Sequence, residues 1–308
     1  MSNSKNLKTI VIGGTGKVGE ELIEELLNSN HYSQITVLVR TPKEKWLNFP
    51  EEKKKKLKII TKERFDFLSE TREEIEKIFS DKPYNSLFNL LGSRAKTNEE
   101  EFRRVEYTYV TESCVVCEKL HISHFIYCSS NKADKNSLLT CNKIKGEVEE
   151  EILKRNVDCV SIFHPGAITD KEQKESDSKT SKIGGFFGKF VPFVEKIKSN
   201  ELAKAMVFND LNFWEKEFLP FHQSEIINNS EILKLKDDYG KLLENEKEKN
   251  EEKEKNEEKE KNEEKEEKKN EEKEEKKNEE KVKKEEKKEK KNEEKEEKKN
   301  EEEKIKEE

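Results

Sequence analysis

Between Thr9-Ile10-Val11-Ile12 and Glu20-Glu21-Leu22-Ile23-Glu24-Glu25-Leu26-Leu27 lies Gly13-Gly14-Thr15-Gly16-Lys17-Val18-Gly19. A β-rich apolar run, a glycine-dense turn and an amphipathic helical pattern, in that order, specify the opening of a βαβ unit that cradles a dinucleotide. Gly13 lets the chain turn sharply off the strand, Gly16 admits backbone close to a pyrophosphate, and Gly19 lets the helix pack on the strand. The phosphates then sit at a helix N-terminus, where unpaired N–H groups and the positive dipole end favour anions. The spacing is G-x-x-G-x-x-G, unlike the commoner G-x-G-x-x-G. Val18 after Gly16-Lys17 takes the place of the magnesium-binding Ser or Thr of a Walker A loop. The bland alternative is a plain turn before a helix.

The rest of the chain repeats the alternation. Strands are expected at Gln34–Val39, Leu57–Ile60, Asn85–Gly92, Ser123–Cys128 and Asp158–Phe163, with helices over Thr71–Phe79, Asn98–Leu120 and Leu138–Lys154. Glu51–Lys56 reads as a charged loop, Glu201–Met206 as a closing helix, and Glu225–Leu233 completes the domain. Strands alternating with helices at this spacing predict a Rossmann-like, doubly wound parallel sheet of the α/β class. Its ligand belongs at the carboxyl ends of the strands. Ile183–Phe193 combines aromatics and glycines, which suit packing, a pocket wall or a membrane surface.

Of 308 residues, 43% are charged and 30% hydrophobic, too polar for one uniform globule. The excess lies at one end: residues 241–308 hold 25 Lys and 31 Glu with almost nothing apolar, leaving 38 basic and 39 acidic residues before them. Residues 1–240 are therefore read as a near-neutral NAD(P)-binding domain, with no charge argument for nucleic acid. Residues 241–308 are read as a low-complexity tail, disordered or an isolated helix, since it has nothing to bury. Glu–Lys pairs four apart support such a helix, and the missing apolar a and d positions argue against a coiled coil.

Cys114, Cys117, Cys128, Cys141 and Cys159 form no regular framework. An odd count without a recognisable signal peptide predicts reduced thiols in the cytoplasm. Cys114 and Cys117 fall inside a helical pattern without a second ligand pair, so packing is expected and no metal. No apolar run nears the ~20 residues of a membrane-spanning helix.

The second strand runs into Arg40-Thr41-Pro42-Lys43. An acidic residue at this point of such folds accepts from the ribose 2′-OH, whereas arginine accommodates a 2′-phosphate. Arg40, with no Asp or Glu beside it, favours NADP over NAD; the alternative is a surface arginine among lysines.

Gly13-Gly14-Thr15-Gly16, Ser129-Ser130-Asn131-Lys132-Ala133-Asp134-Lys135, Lys145-Gly146-Glu147-Val148-Glu149 and Phe163-His164-Pro165-Gly166 together resemble the Tat-interacting-protein oxidoreductases, an atypical short-chain dehydrogenase group. The similarity covers roughly residues 7 to 235. It implies a Rossmann fold and NADP(H) contacts around Thr15, Gly16, Lys17, Val18, Arg40, Leu91, Lys145 and Ile168. By the same resemblance Asp66 and Phe67, after the third strand, are candidates to face the adenine, and Leu91-Gly92 passes beside the nicotinamide ribose. The resemblance supplies no substrate; it carries both reductase chemistry and regulatory roles involving protein partners.

Two departures stand out. The family's Tyr-x-x-x-Lys uses tyrosine as proton donor to a carbonyl, lysine to lower its pKa and hold the ribose, and a serine, here Ser129 or Ser130, to polarise the carbonyl. This chain keeps Lys145 but has Cys141 where the tyrosine belongs. A thiol beside a lysine tends toward thiolate, so Cys141 is an inert replacement, a weak substitute acid or a reactive thiol. His164 stands where the family has arginine before Pro-Gly, a partial replacement at most. His121 and His124 are read as solvent or core positions.

The expected function is an NADP(H)-binding protein reducing a small carbonyl substrate. The alternative is a catalytically impaired, cofactor-sensing regulatory or scaffold protein.

Overall fold

The computed structural model describes residues 6–65, 67–93, 98–169, 195–216 and 222–253, with scattered residues beyond. The chain divides into two units, Met1–Leu242 and Leu243–Glu308. In the second, residues 243–253 are helical.

The first unit holds strands β1 (Leu7–Ile12), β2 (Tyr32–Val39), β3 (Leu57–Thr61), β4 (Ser86–Asn89), β5 (His124–Cys128), β6 (Cys159–His164), β7 (Ala167–Thr169), β8 (Lys196–Lys198) and β9 (Gln223–Asn228). Seven of them form one sheet in the order β3-β2-β1-β4-β5-β6-β9, every pair parallel. β7 and β8 form a separate parallel pair. The strand order reverses between β1 and β4, which opens a crevice at the carboxyl ends of those strands.

Alternation along each strand divides the side chains between two faces. Ile10, Ile12, Phe125, Tyr127, Val160 and Ile162 enter the main core with Ile75, Val110, Cys114, Val148 and Ile152. Those last five come from α4 (Arg72–Ile78), α6 (Tyr109–Leu120) and α7 (Thr140–Ile152). The opposite face meets α1 (Lys17–Asn28) and α8 (Ser199–Glu215), which pack on one another. α1 buries Val18, Leu22, Ile23, Leu26 and Leu27, spaced as one helical stripe. Burial raises the thiol pKa of both Cys114 and Cys117, so these two are packing groups.

Beneath α8 the sheet carries a buried polar network. Asp210 accepts from the hydroxyls of Tyr32 (2.7 Å) and Ser86 (2.9 Å), and its other oxygen lies 2.8 Å from His124 Nδ1. His124 Nε2 lies 2.8 Å from Ser161 Oγ, which donates to Glu225 at 2.7 Å. His124, Cys159 and Glu225 approach one another within 4.8 Å. Both ring nitrogens of His124 are already taken, so this is a hydrogen-bonded core feature.

Two local readings are corrected. Glu51–Lys56 is a helix, α3, following the four-residue α2 (Glu44–Leu47). Pro50 precedes it, Glu51 and Glu52 occupy its first turn and four lysines its last, which complements the helix dipole. Lys53 then pairs with Glu24 of α1 at 2.9 Å. The helix expected over Asn98–Leu120 is broken into α5 (Glu99–Arg103), a π-turn at Arg104–Thr108, and α6. Ile183–Phe193 lies outside the described residues.

Candidate functional site

At the end of β1 Gly13 takes φ +85°, and a Cβ there would meet the carbonyl carbon of Leu90 at 2.5 Å. Only glycine combines that left-handed turn with the close passage of the β4 loop. Gly16 is the N-cap of α1, whose start carries no side-chain cap, and its N–H is held by the Gly13 carbonyl at 3.1 Å. The uncapped helix start faces the crevice, as a phosphate cradle requires.

Two adjoining cavities share Gly16, Leu90, Leu91 and Gly92. The smaller, about 160 Å³, lies between the glycine turn and the end of β2, with Gly13, Thr15, Arg40, Phe65, Val105 and Tyr109 in its wall. Arg40 is exposed, and its guanidinium makes no ion pair with any described residue. Nearby Lys43 and Lys45 both pair with Glu20, at 2.8 and 2.5 Å. Among the described residues, Arg40 is thus the cation at this end without an ion pair.

The larger cavity, about 560 Å³, is walled by Lys17, Val18, Gly19, Glu106, Cys128, Ser129, Ser130, Lys145 and Ile168, among others. Lys145 Nζ lies 2.9 Å from Glu106 Oε2, with side-chain exposures of 17% and 3%, and 5.6 Å from the centre of the Tyr127 ring. Burial opposes the ammonium, yet Tyr127 and Glu106 outweigh it and hold Lys145 above the ordinary lysine range. Burial pushes the Tyr127 phenol up to about 12.

The two serines differ in what they offer the cavity. Ser129 donates its hydroxyl proton to Glu149 Oε1, which also faces His164 Nε2 at 2.9 Å. Ser129 therefore presents lone pairs. Ser130 Oγ accepts from the Lys132 N–H at 3.3 Å and keeps its own proton free to donate. Gly146 explains why two motif blocks belong together: a Cβ there would strike Lys135 N and Asp134, so α7 can pack on the Ala133-Asp134-Lys135 loop only at glycine. Asp134 N–H donates to the Asn142 carbonyl at 3.0 Å across the same contact.

The two walls bring together Gly13, Thr15, Gly16, Lys17, Val18, Gly19, Arg40, Leu91, Gly92, Ser129, Ser130, Lys145 and Ile168. Three candidates are not among them. Cys141 is exposed, contacts Asn142 Oδ1 at 3.6 Å and lines neither cavity. α7 begins at Thr140, so Lys145 lies about 6 Å further along the axis, and only the deeper residue reaches the cavity. Phe67 is fully buried against Phe79, its N–H held by Glu112; Phe65 lines the cavity instead. Asp66 lies outside the described residues.

Glu106, Tyr109, Glu149 and Phe65 were not singled out from the sequence. Glu149 and its partner His164 stood in quoted motifs, which was the available signal.

Residues 13–207 match a family model described as NAD(P)H-binding. This chain belongs to that family. The rat protein HTATIP2 is 30% identical over 171 residues, spanning 55% of this chain and 66% of the rat protein, just under two thirds of its length. A mitochondrial FMP52 protein of Candida albicans is 26% identical over 182 residues, 59% of this chain and 76% of its own. The chain is thus similar to HTATIP2, and its membership of the NAD(P)H-binding family gives it a nicotinamide dinucleotide as its cofactor. The Bordetella bronchiseptica enzyme WbmG, solved in complex with NAD, shares the fold, with a TM-score of 0.52 at 12% identity over 79% of this chain and 80% of that one.

The residues present fit such a cofactor. The uncapped start of α1 suits the pyrophosphate, Arg40 stands at the smaller cavity, and Lys145 with the Leu91-Gly92 loop stands at the larger one.

Proposed function

We propose that this protein binds NADP(H) in a cytosolic setting and that its carbonyl-reducing chemistry is impaired, the dinucleotide serving mainly as a signal to a protein partner. The observation that carries the NADP preference is Arg40. It lines the cavity beyond β2 with no anionic partner among the described residues, while Glu20 neutralises both neighbouring lysines. A 2′-phosphate would supply that anionic partner. The five cysteines are all free, which suits a reducing compartment.

The impaired-chemistry reading rests on the larger cavity. Among the described residues in its wall there is no tyrosine, and Cys141 faces solvent. When bound, the dinucleotide would supply or accept hydride. The chain's own contribution to proton handling is then the Ser130 hydroxyl, free to donate, and the Lys145 ammonium, already engaged with Glu106. A weak donor of this kind supports slow reduction of a small carbonyl compound as the second reading, favoured by Ser130 and Lys145 facing one cavity.

The test is stopped-flow and steady-state oxidation of NADPH by the purified protein against a panel of small aldehydes and ketones. Tight NADPH binding with turnover slower than ~0.01 s⁻¹, far below the usual enzyme range, supports the impaired reading. Turnover above ~1 s⁻¹ overturns it.

A further inference from the structure

We propose that Glu106 is a positioning residue for Lys145, and that the two act as one unit in holding the nicotinamide-side ribose; this rests on the dinucleotide reading above. Glu106 lies in the π-turn Arg104–Thr108, where one wider turn interrupts an otherwise continuous helical stretch. Such turns aim a side chain that regular α-helix would place elsewhere. Here the side chain aimed inward is a carboxylate with 3% exposure, at the wall of the larger cavity.

Each oxygen of that carboxylate has its own task. Oε2 lies 2.9 Å from Lys145 Nζ. Oε1 accepts from the Ser93 N–H at 2.7 Å and from the Ser93 hydroxyl at 3.3 Å. One residue thus ties the loop after β4 to α7 across the cavity. Lys145 is held from a second side by the face of the Tyr127 ring. The contact with Glu106 Oε2 is an ion pair without an aligned hydrogen bond, so it fixes the position of the ammonium while leaving N–H donors for the hydroxyls of a ribose. A long lysine side chain without this partner would keep its rotamer freedom and lose it only on binding.

The alternative is that Glu106 merely braces the Ser93 loop. A double-mutant cycle separates the two roles. NADPH is titrated into wild type, Glu106→Gln, Lys145→Met and the double variant, following nicotinamide fluorescence, with thermal unfolding of each as a folding control. Gln is isosteric and keeps an oxygen for Ser93. The expected result is that Glu106→Gln weakens NADPH binding roughly tenfold in the wild-type background and less than about twofold when Lys145 is Met. Equal losses in both backgrounds overturn the proposal and leave the cofactor reading intact. Failure of the wild type to bind NADPH or NADH overturns both. A readout without nucleotide is acetylation of Lys145 followed by mass spectrometry: Glu106→Gln is expected to speed it several-fold, because the ammonium loses the carboxylate that keeps it protonated. An unchanged rate also overturns the proposal.

Discussion

Cys141 and Lys145 stand four residues apart on one helix yet belong to different environments. The cysteine is exposed and outside both cavities, whereas the lysine is three-quarters enclosed or more and paired with Glu106 at 2.9 Å. Their spacing places them on one side of α7, but the helix starts at Thr140 and only its second turn reaches the crevice. The ammonium that would activate a thiol is committed elsewhere.

Cys141 should therefore be dispensable. Cys141→Ala is expected to leave NADPH affinity within about twofold of wild type. In timed iodoacetamide labelling read by peptide mass spectrometry, Cys141 should react well before buried Cys114, Cys117 and Cys159. Loss of NADPH binding on Cys141→Ala would place the thiol in the site after all.

The serine pair makes an asymmetric prediction. Ser130→Ala removes the only hydroxyl of the two with a free proton and should abolish whatever slow NADPH oxidation the protein supports. Ser129→Ala should act mainly through folding, since it leaves the buried Glu149 short of a donor, at about 1–3 kcal/mol. Chemical denaturation and turnover measured on both variants decide it; a reversed pattern refutes the assignment.

His164, which stands where the resembled group has arginine, lies 2.9 Å from Glu149 Oε1 and donates toward it. His164→Arg should keep that partner and cost less than about 1 kcal/mol, while His164→Leu strands a nearly buried carboxylate and should cost about 2 kcal/mol or more. Equal stabilities for the two variants would mean that the pair contributes nothing.

The buried His124 sets a pH dependence. Burial opposes its charge, but the hydrogen bond and charge of Asp210, with help from Cys159, raise its pKa from 6.5 to about 9. A raised folded pKa gives stability that is complete below about 6.5 and is lost as pH climbs through about 9. Urea unfolding at pH 6 and pH 9.5 should show wild type losing more than His124→Gln, by on the order of 3 kcal/mol. The comparison is needed because the raised thiol pKa values of Cys114, Cys117 and Cys128 also favour unfolding at alkaline pH. Parallel losses in the two proteins would show that His124 is neutral in the fold.

The sheet was legible because its strands are apolar runs bounded by turn residues, and the glycine turn fixed where the ligand belongs. What escaped was decided by tertiary contact. Glu51–Lys56 has no apolar stripe, and its helix is held by end charges and by Lys53 reaching Glu24, neither of which shows as periodicity. Phe65 and Phe67 are equally apolar; which one walls the cavity depends on Glu112 of α6 capturing the Phe67 N–H. Glu106 reads as one acid among many in a charged helix until the π-turn directs it inward. The Ser129–Glu149–His164 contacts join three motif blocks whose members were each visible, though their meeting was not.

Arg40 is proposed to make this an NADP(H) site. The deciding measurement is titration of wild type and Arg40→Ala with NADPH and NADH, following nicotinamide fluorescence. Wild type is expected to bind NADPH at least about tenfold more tightly than NADH, and Arg40→Ala to erase most of that preference while leaving NADH affinity nearly unchanged. Equal affinities for the two dinucleotides in wild type, or a preference that survives Arg40→Ala, would overturn the proposal.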